Sequence, residues 1–170
     1  SKKYSEIKGL PVGLVNNFDF TDDGKSLFFS QSTYDSSADI YRLDLASGKI
    51  ERWTDSEQGE MQKTDMSAPI LIEWKSFDGM KITGFYYPVS KKFTGKRPVL
   101  INIHGGPEGQ SMASSLGSGN YYTNEMGVAL IYPNVRGSSG FGKTYIASDN
   151  GFNRMNSVKD IGALLDWIAK

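Results

Sequence analysis

Two compact apolar runs constrain this chain most: Pro98-Val99-Leu100-Ile101-Asn102-Ile103 and Val128-Ala129-Leu130-Ile131-Tyr132, each followed by a glycine-rich loop. Unbroken runs of this length, without alternation, belong to strands buried on both faces, as in a parallel sheet. A weakly helical stretch to Met126 separates them. After the second loop, Val158, Ile161, Leu164, Leu165 and Ile168 recur at helical spacing and predict an amphipathic helix over 157–169. Ser157 with Asp160 three residues on reads as a capping box at its start. Strand, loop, helix, strand, loop, helix predicts an α/β class of fold with a mostly parallel sheet and right-handed crossovers.

The chain upstream has a different character. Residues 70–77 and 80–87 form a hairpin on an Asp78-Gly79 turn, and 88–97 is a basic, exposed connection. Residues 57–68 are polar and unpatterned, a linker. Before it, 17–20, 27–30, 39–45 and 50–53 read as four short strands. They are punctuated by turns at Thr21-Asp22-Asp23-Gly24-Lys25 and Ser47-Gly48-Lys49. Four antiparallel strands in about 45 residues is the size of one β-propeller blade, and a blade needs neighbours to bury both faces. The same strands also fit a small β-meander packed on the following domain. The division expected is 1–60 as the last part of a propeller and 61–170 as the start of a second domain.

Composition narrows the function classes. At 170 residues the chain is one domain or at most two small ones, and 38% hydrophobic residues supply a core. Nineteen Lys and Arg balance nineteen Asp and Glu, so no basic field draws nucleic acid or anionic lipid. With no cysteine, disulfides, thiolate chemistry and Cys-ligated metals are excluded, and no cofactor or metal is expected. A cysteine-free chain suits the cytoplasm and the periplasm alike. No apolar run approaches the roughly 20 residues that span a bilayer. Ser1-Lys2-Lys3-Tyr4 reads as an internal or processed start, not a signal peptide.

The two loops carry the chemistry. The first is His104-Gly105-Gly106-Pro107-Glu108-Gly109-Gln110. Paired glycines let the backbone turn sharply and bring bare N–H groups close to a ligand. In α/β-hydrolases an HGG-type loop after a buried strand supplies one backbone N–H of the oxyanion hole, which stabilises charge developing on a carbonyl oxygen. Gly106 is the N–H assigned to that role; a tight turn without catalytic duty is the plainer alternative. His104, the single histidine, is a candidate general base or, more simply, a strand-end residue that shapes the loop by hydrogen bonding. His104, Gly105, Glu108 and Arg136 are the candidate substrate-site neighbours. The second loop, Gly137 to Thr144, matches the phosphate-binding G-x-x-x-x-G-K-T pattern letter for letter. Its context departs from a P-loop: Pro133-Asn134-Val135-Arg136 separates the strand from the first glycine, and Lys143-Thr144 has few residues in which to open a helix before Asp149-Asn150-Gly151.

Trp74-Lys75-Ser76-Phe77-Asp78-Gly79, Arg97-Pro98-Val99-Leu100 with His104-Gly105-Gly106-Pro107, and Pro133-Asn134-Val135-Arg136-Gly137-Ser138-Ser139-Gly140-Phe141-Gly142-Lys143 together resemble the prolyl oligopeptidase family of serine peptidases, in its acylaminoacyl-peptidase and dipeptidyl-peptidase-like branch. Ser157-Val158-Lys159-Asp160 before an apolar helix fits as well. The resemblance covers about residues 10–170 and is specific in the second half, generic in the first. It implies a β-propeller capping an α/β-hydrolase domain, the fold here being incomplete, with access limited to short peptides or unstructured termini. Some relatives carry a tyrosine at the position of His104 whose hydroxyl donates to the oxyanion; that donor is absent or replaced here, which leaves the hole to the Gly106 backbone. Arg136 matches an arginine near the active-site cleft, an organiser first and a substrate contact second.

The resemblance also implies a Ser, Asp, His triad, in that order. No G-x-S-x-G nucleophile elbow is present: Gly109-Gln110-Ser111-Met112-Ala113 fails at its last position. All three residues are expected after Lys170, so this chain on its own is expected to be inactive. Its partners would then be a peptide substrate and the remainder of the same polypeptide, with homo-oligomerisation open and neither nucleic acid nor membrane involved. The alternatives are an esterase or other acyl hydrolase on the same scaffold, a P-loop nucleotide-binding protein, and a non-catalytic binding module. Unpaired sheet edges predict that the isolated chain is unstable without neighbours.

Overall fold

The computed structural model describes residues 4, 6–57, 59, 60, 62–106 and 108–170. Pro107 of the His-Gly-Gly-Pro motif and the Ser1-Lys2-Lys3 start lie outside the described residues. The chain divides into two compact units, one of Ser1–Met66 with Ala113–Gly117, the other of Ser67–Met112 with Ser118–Lys170.

The first unit is an antiparallel sheet in the order β1 (Gly13–Phe20), β2 (Ser26–Thr33), β3 (Ser36–Asp44), β4 (Ile50–Arg52). Each connection is set by local chemistry. Asp23 accepts from the Thr21 hydroxyl and the Lys25 N–H across the first turn, and Asp44 accepts from the Ser47 N–H and hydroxyl across the third. Phe29 is buried and stacks on Tyr41 of the neighbouring strand. Asp39 is fully buried, yet it is ringed by donors: Ser36, Arg52, Thr54 and Ser56. Burial alone would raise its carboxyl; the hydrogen bonds from Thr54, Ser36 and Arg52 outweigh burial and hold it well below the ordinary carboxylate range. The linker contains one short 3₁₀ turn, Lys63–Asp65.

The second unit is a mixed sheet in the order β5 (Ile70–Lys75), β6 (Lys81–Tyr87), β8 (Ala129–Asn134), β7 (Val99–Ile101). This corrects the mostly parallel expectation. β7 and β8 are parallel, but the hairpin lays β6 antiparallel against β8. Gly84 makes that approach close, since a Cβ there would stand 2.9 Å from the Tyr132 carbonyl oxygen. The run 98–103 is likewise corrected: only three residues pair, on one side, so β7 is an edge strand and Leu100 and Ile103 are half exposed. Of the run 128–132, Ala129, Leu130 and Ile131 are buried and Val128 and Tyr132 partly so, and the strand, which begins at Ala129, extends through Pro133 to Asn134. The stretch before it is a π-helical turn, Tyr122–Met126, closed by Gly127 in the left-handed region.

Helix α1 (Lys143–Ala147) is short, and α2 (Arg154–Ile168) packs on the sheet. Its core with Ile72, Trp74, Ile82 and Ile131 is anchored by Leu164, which is fully buried. Burying a leucine contributes about 1.5 to 3 kcal/mol. The capping box is corrected. The helix starts three residues earlier, Ser157 lies inside it and donates back to the Arg154 carbonyl, and Asp160 is turned into the core. Of the apolar stripe, Leu164 is buried while Val158 and Leu165 stay exposed beside the edge of the sheet.

Candidate active site

The first glycine-rich loop leaves β7 and folds over the His104 ring. Gly106 has a φ of 129°, and a Cβ on it would stand 2.9 Å from the backbone nitrogens of Glu108 and Gly109. Only glycine fits that turn without displacing the backbone. Gly109 is as tightly placed: a Cβ on it would stand 2.7 Å from the Gly105 carbonyl oxygen and 2.9 Å from His104 Nδ1. Gly105 and Gly106 are exposed, and no described residue accepts the Gly106 N–H.

His104 joins this loop to the second. Its Nε2 lies 2.9 Å from the Ser138 hydroxyl, and its Nδ1 lies 3.1 Å from the Gly105 carbonyl. The pair has the spacing of a nucleophile and its base, but Ser138 is fully buried and its hydroxyl donates to the Val135 carbonyl at 2.6 Å. The Gly105 carbonyl can only accept, so Nδ1 is the donor to it, and Nε2 bonds the Ser138 hydroxyl in the direction the ring's protonation allows. The serine has neither the access nor the orientation of a nucleophile. Ser111, in the elbow-like stretch, is buried and pinned by Asn134 through both its N–H and its carbonyl.

Three successive N–H groups of the second loop are taken: Gly137 donates to Tyr145, Ser138 to Val135, and Ser139 to the Gly109 carbonyl at 2.9 Å. A phosphate cradle needs those donors free. Lys143 opens a helix of only five residues and is exposed. The loop is therefore built to brace the first loop. Gly140 faces the Gln110 side chain so closely that a Cβ on it would stand 2.6 Å from the amide.

Beneath the loops Arg136 is almost fully buried between two carboxylates. Asp160 accepts from its backbone N–H, Nε and Nη2; Asp78 accepts from Nη1 at 2.9 Å and Nη2 at 3.0 Å. Ser76 also donates to Asp160, and the guanidinium lies over the Phe77 ring. Arg136 pulls the Asp78 carboxyl down to about 2, and the two carboxylates push the guanidinium further up. All three guanidinium nitrogens are spent inside the protein.

His104, Gly105 and Gly106 line a groove of about 430 Å³ with Ile103, Val135 and the exposed apolar residues of α2. Arg136 sits below it, and Glu108 is exposed outside its lining. Sequence reasoning missed Asp160, Asp78 and Ser138. Asp160 had a signal: it shares a helix face with Leu164 at i, i+4, and a carboxylate on a core-facing stripe needs a cationic partner. Ser138 had none beyond its place in the loop. Among the described residues no cluster of His, Asp or Glu is arranged to hold a metal ion, and no helix is long and apolar enough to cross a membrane.

The fold matches those of solved hydrolases and peptidases. A prolyl endopeptidase structure superposes with a TM-score of 0.83 over 98% of this chain at 20% identity, a puromycin hydrolase with 0.76 over 86% at 22%, and a Pyrococcus horikoshii acylaminoacyl peptidase with 0.72 over 94% at 21%. In sequence, the uncharacterized peptidase YuxL of Bacillus subtilis (strain 168) is 26% identical over 98% of the chain, and acylamino-acid-releasing enzyme 1 of Oryza sativa subsp. japonica is 32% identical over 56% of it. The chain spans 26% of the first relative and 12% of the second; among the solved structures it covers 24% of the prolyl endopeptidase chain. No family model matches the chain. In sequence and in fold the chain is similar to members of the prolyl oligopeptidase family.

Proposed function

We propose that this chain is the oxyanion side of a serine peptidase active site. In this reading residues 1–60 form one blade of a β-propeller, and 61–170 form the N-terminal part of an α/β-hydrolase domain. The observation that carries it is Gly106: a glycine-only turn at the end of a parallel strand, exposed, with its N–H unclaimed by any described residue. A donor fixed in that way can meet the negative charge that forms on a scissile carbonyl without reorganising.

The reaction is acyl transfer. A serine hydroxyl supplied by the rest of the polypeptide adds to the peptide carbonyl, its proton passes to a histidine base, and the Gly106 N–H donates to the resulting oxyanion. Collapse breaks the C–N bond, and the proton leaves with the amine. Water then cleaves the ester and restores the serine. The outer edge of β7 and the exposed Leu100, Ile103, Val158 and Leu165 are the surfaces that the remainder of the polypeptide covers.

Peptide cleavage is favoured over simple ester hydrolysis by the four-stranded first unit and by the relative from Bacillus subtilis, which is named as a peptidase. The test compares the full-length protein on short peptides and on p-nitrophenyl esters. Peptide hydrolysis at a kcat/KM comparable to or above that for esters supports the reading; turnover of esters alone would overturn it.

A further inference from the structure

We infer that Ser138 is a positioning residue for the oxyanion loop, acting through His104. The inference rests on the assignment of Gly106 to that loop. Ser138 is the fixed point. It is fully buried, its N–H and hydroxyl both return to the Val135 carbonyl, and its hydroxyl oxygen also lies 2.9 Å from His104 Nε2. The residues on either side are immobilised independently. Arg136 is clamped by Asp160 through backbone and side chain, and Gly137 packs so closely on the Asp149 carboxylate that a Cβ would stand 2.5 Å from it.

The His104 ring then transmits that position. It lies under the first loop, with Nδ1 against the Gly105 carbonyl and the ring so near Gly109 that a Cβ there would stand 2.9 Å from Nδ1. Gly105 and Gly106 have no side chains to hold them, and a glycine backbone has the most freedom to lose on being ordered. The ring and the Ser139–Gly109 backbone bond supply the missing constraint, and both are anchored in the second loop. The chain Asp160, Arg136, Ser138, His104, Gly105 therefore couples helix α2 to the donor.

The arrangement fixes the role of one ring nitrogen. The Gly105 carbonyl can only accept, so its contact at 3.1 Å requires a proton on His104 Nδ1. His104 is the one histidine of these 170 residues, so comparing the full-length protein with its His104→Ala variant identifies this ring by nitrogen-15 NMR. In the unsubstituted protein the expected result is a protonated Nδ1; a neutral ring protonated on Nε2 alone would overturn the inference. Ser138→Ala and His104→Ala should each speed hydrogen exchange of the Ser139 N–H by roughly fivefold to tenfold, the effect of losing one hydrogen bond. The double variant should match either single one, since both break the same strut. Exchange unchanged in His104→Ala, or effects that multiply in the double variant, would overturn it. Neither readout involves acyl transfer, so a failure here is distinguishable from a failure of the Gly106 assignment, which shows only in turnover.

Discussion

The Asp160 carboxylate accepts from the Arg136 backbone N–H at 3.0 Å and from its Nη2 at 2.8 Å, so one helix residue holds both the chain and the side chain that lead into the second loop. Both partners are almost fully buried, and Asp78 completes the clamp from the hairpin turn. Removing one partner of a buried pair strands the other charge and typically costs about 3 to 5 kcal/mol. Arg136→Ala is therefore expected to lower the stability of the second unit by that amount in urea denaturation. Asp78→Asn, at a half-exposed carboxylate, should cost under about 1 kcal/mol. Equal losses in the two variants would show that burial is not what sets the energy.

Stability should fall in acid over a defined window. The Asp78 carboxyl is held at about 2 by Arg136, below the ordinary carboxylate value of about 3.9. A lowered carboxyl favours the folded state when ionised. Its contribution is complete above about pH 4 and is lost as pH falls toward 2. Asp39 has the same sign in the first unit, its hydrogen bonds outweighing its burial. Urea midpoints should be flat from pH 7 to 5 and drop steeply below 4, with part of the second unit's drop missing in Asp78→Asn. A midpoint unchanged between pH 5 and 2.5 would contradict this.

Gly106→Ala should damage chemistry more than folding. The added methyl meets backbone nitrogens at 2.9 Å in a left-handed turn, so the loop must move and the N–H with it. Loss of one oxyanion donor reduces kcat by roughly 10² to 10³. In the full-length protein kcat should fall by that order while the thermal transition shifts by only a few degrees. A variant with unchanged kcat would remove Gly106 from the site.

Much of this was legible in the residues. The turn chemistry of Asp23-Gly24, Ser47-Gly48 and Asp78-Gly79 marked every hairpin it closes, and Gly105-Gly106 marked the loop. What escaped depended on contacts distant in sequence. β7 reads as a doubly buried strand from its composition, but burial depends on a neighbour beyond its outer edge, which its own residues do not encode. Asp160 reads as a cap because spacing cannot separate a carboxylate that bonds its own helix from one that reaches Arg136, 24 residues away. Ser138 matters only through a histidine 34 residues upstream.

The phosphate-loop pattern should prove empty. Gly137, Ser138 and Ser139 have their N–H groups bonded to protein carbonyls. Isothermal titration of ATP with magnesium should give no heat above dilution, and Lys143→Ala should change nothing. Saturable binding abolished by Lys143→Ala would reverse that conclusion.

The most direct measurement is reaction with a fluorophosphonate probe. The full-length polypeptide should form a covalent adduct, Gly106→Ala should slow its formation by at least tenfold, and the 170-residue chain alone should remain unlabelled. Labelling of the 170-residue chain, or labelling of the full-length protein at an undiminished rate in Gly106→Ala, would contradict the placement of an oxyanion loop here with its nucleophile elsewhere.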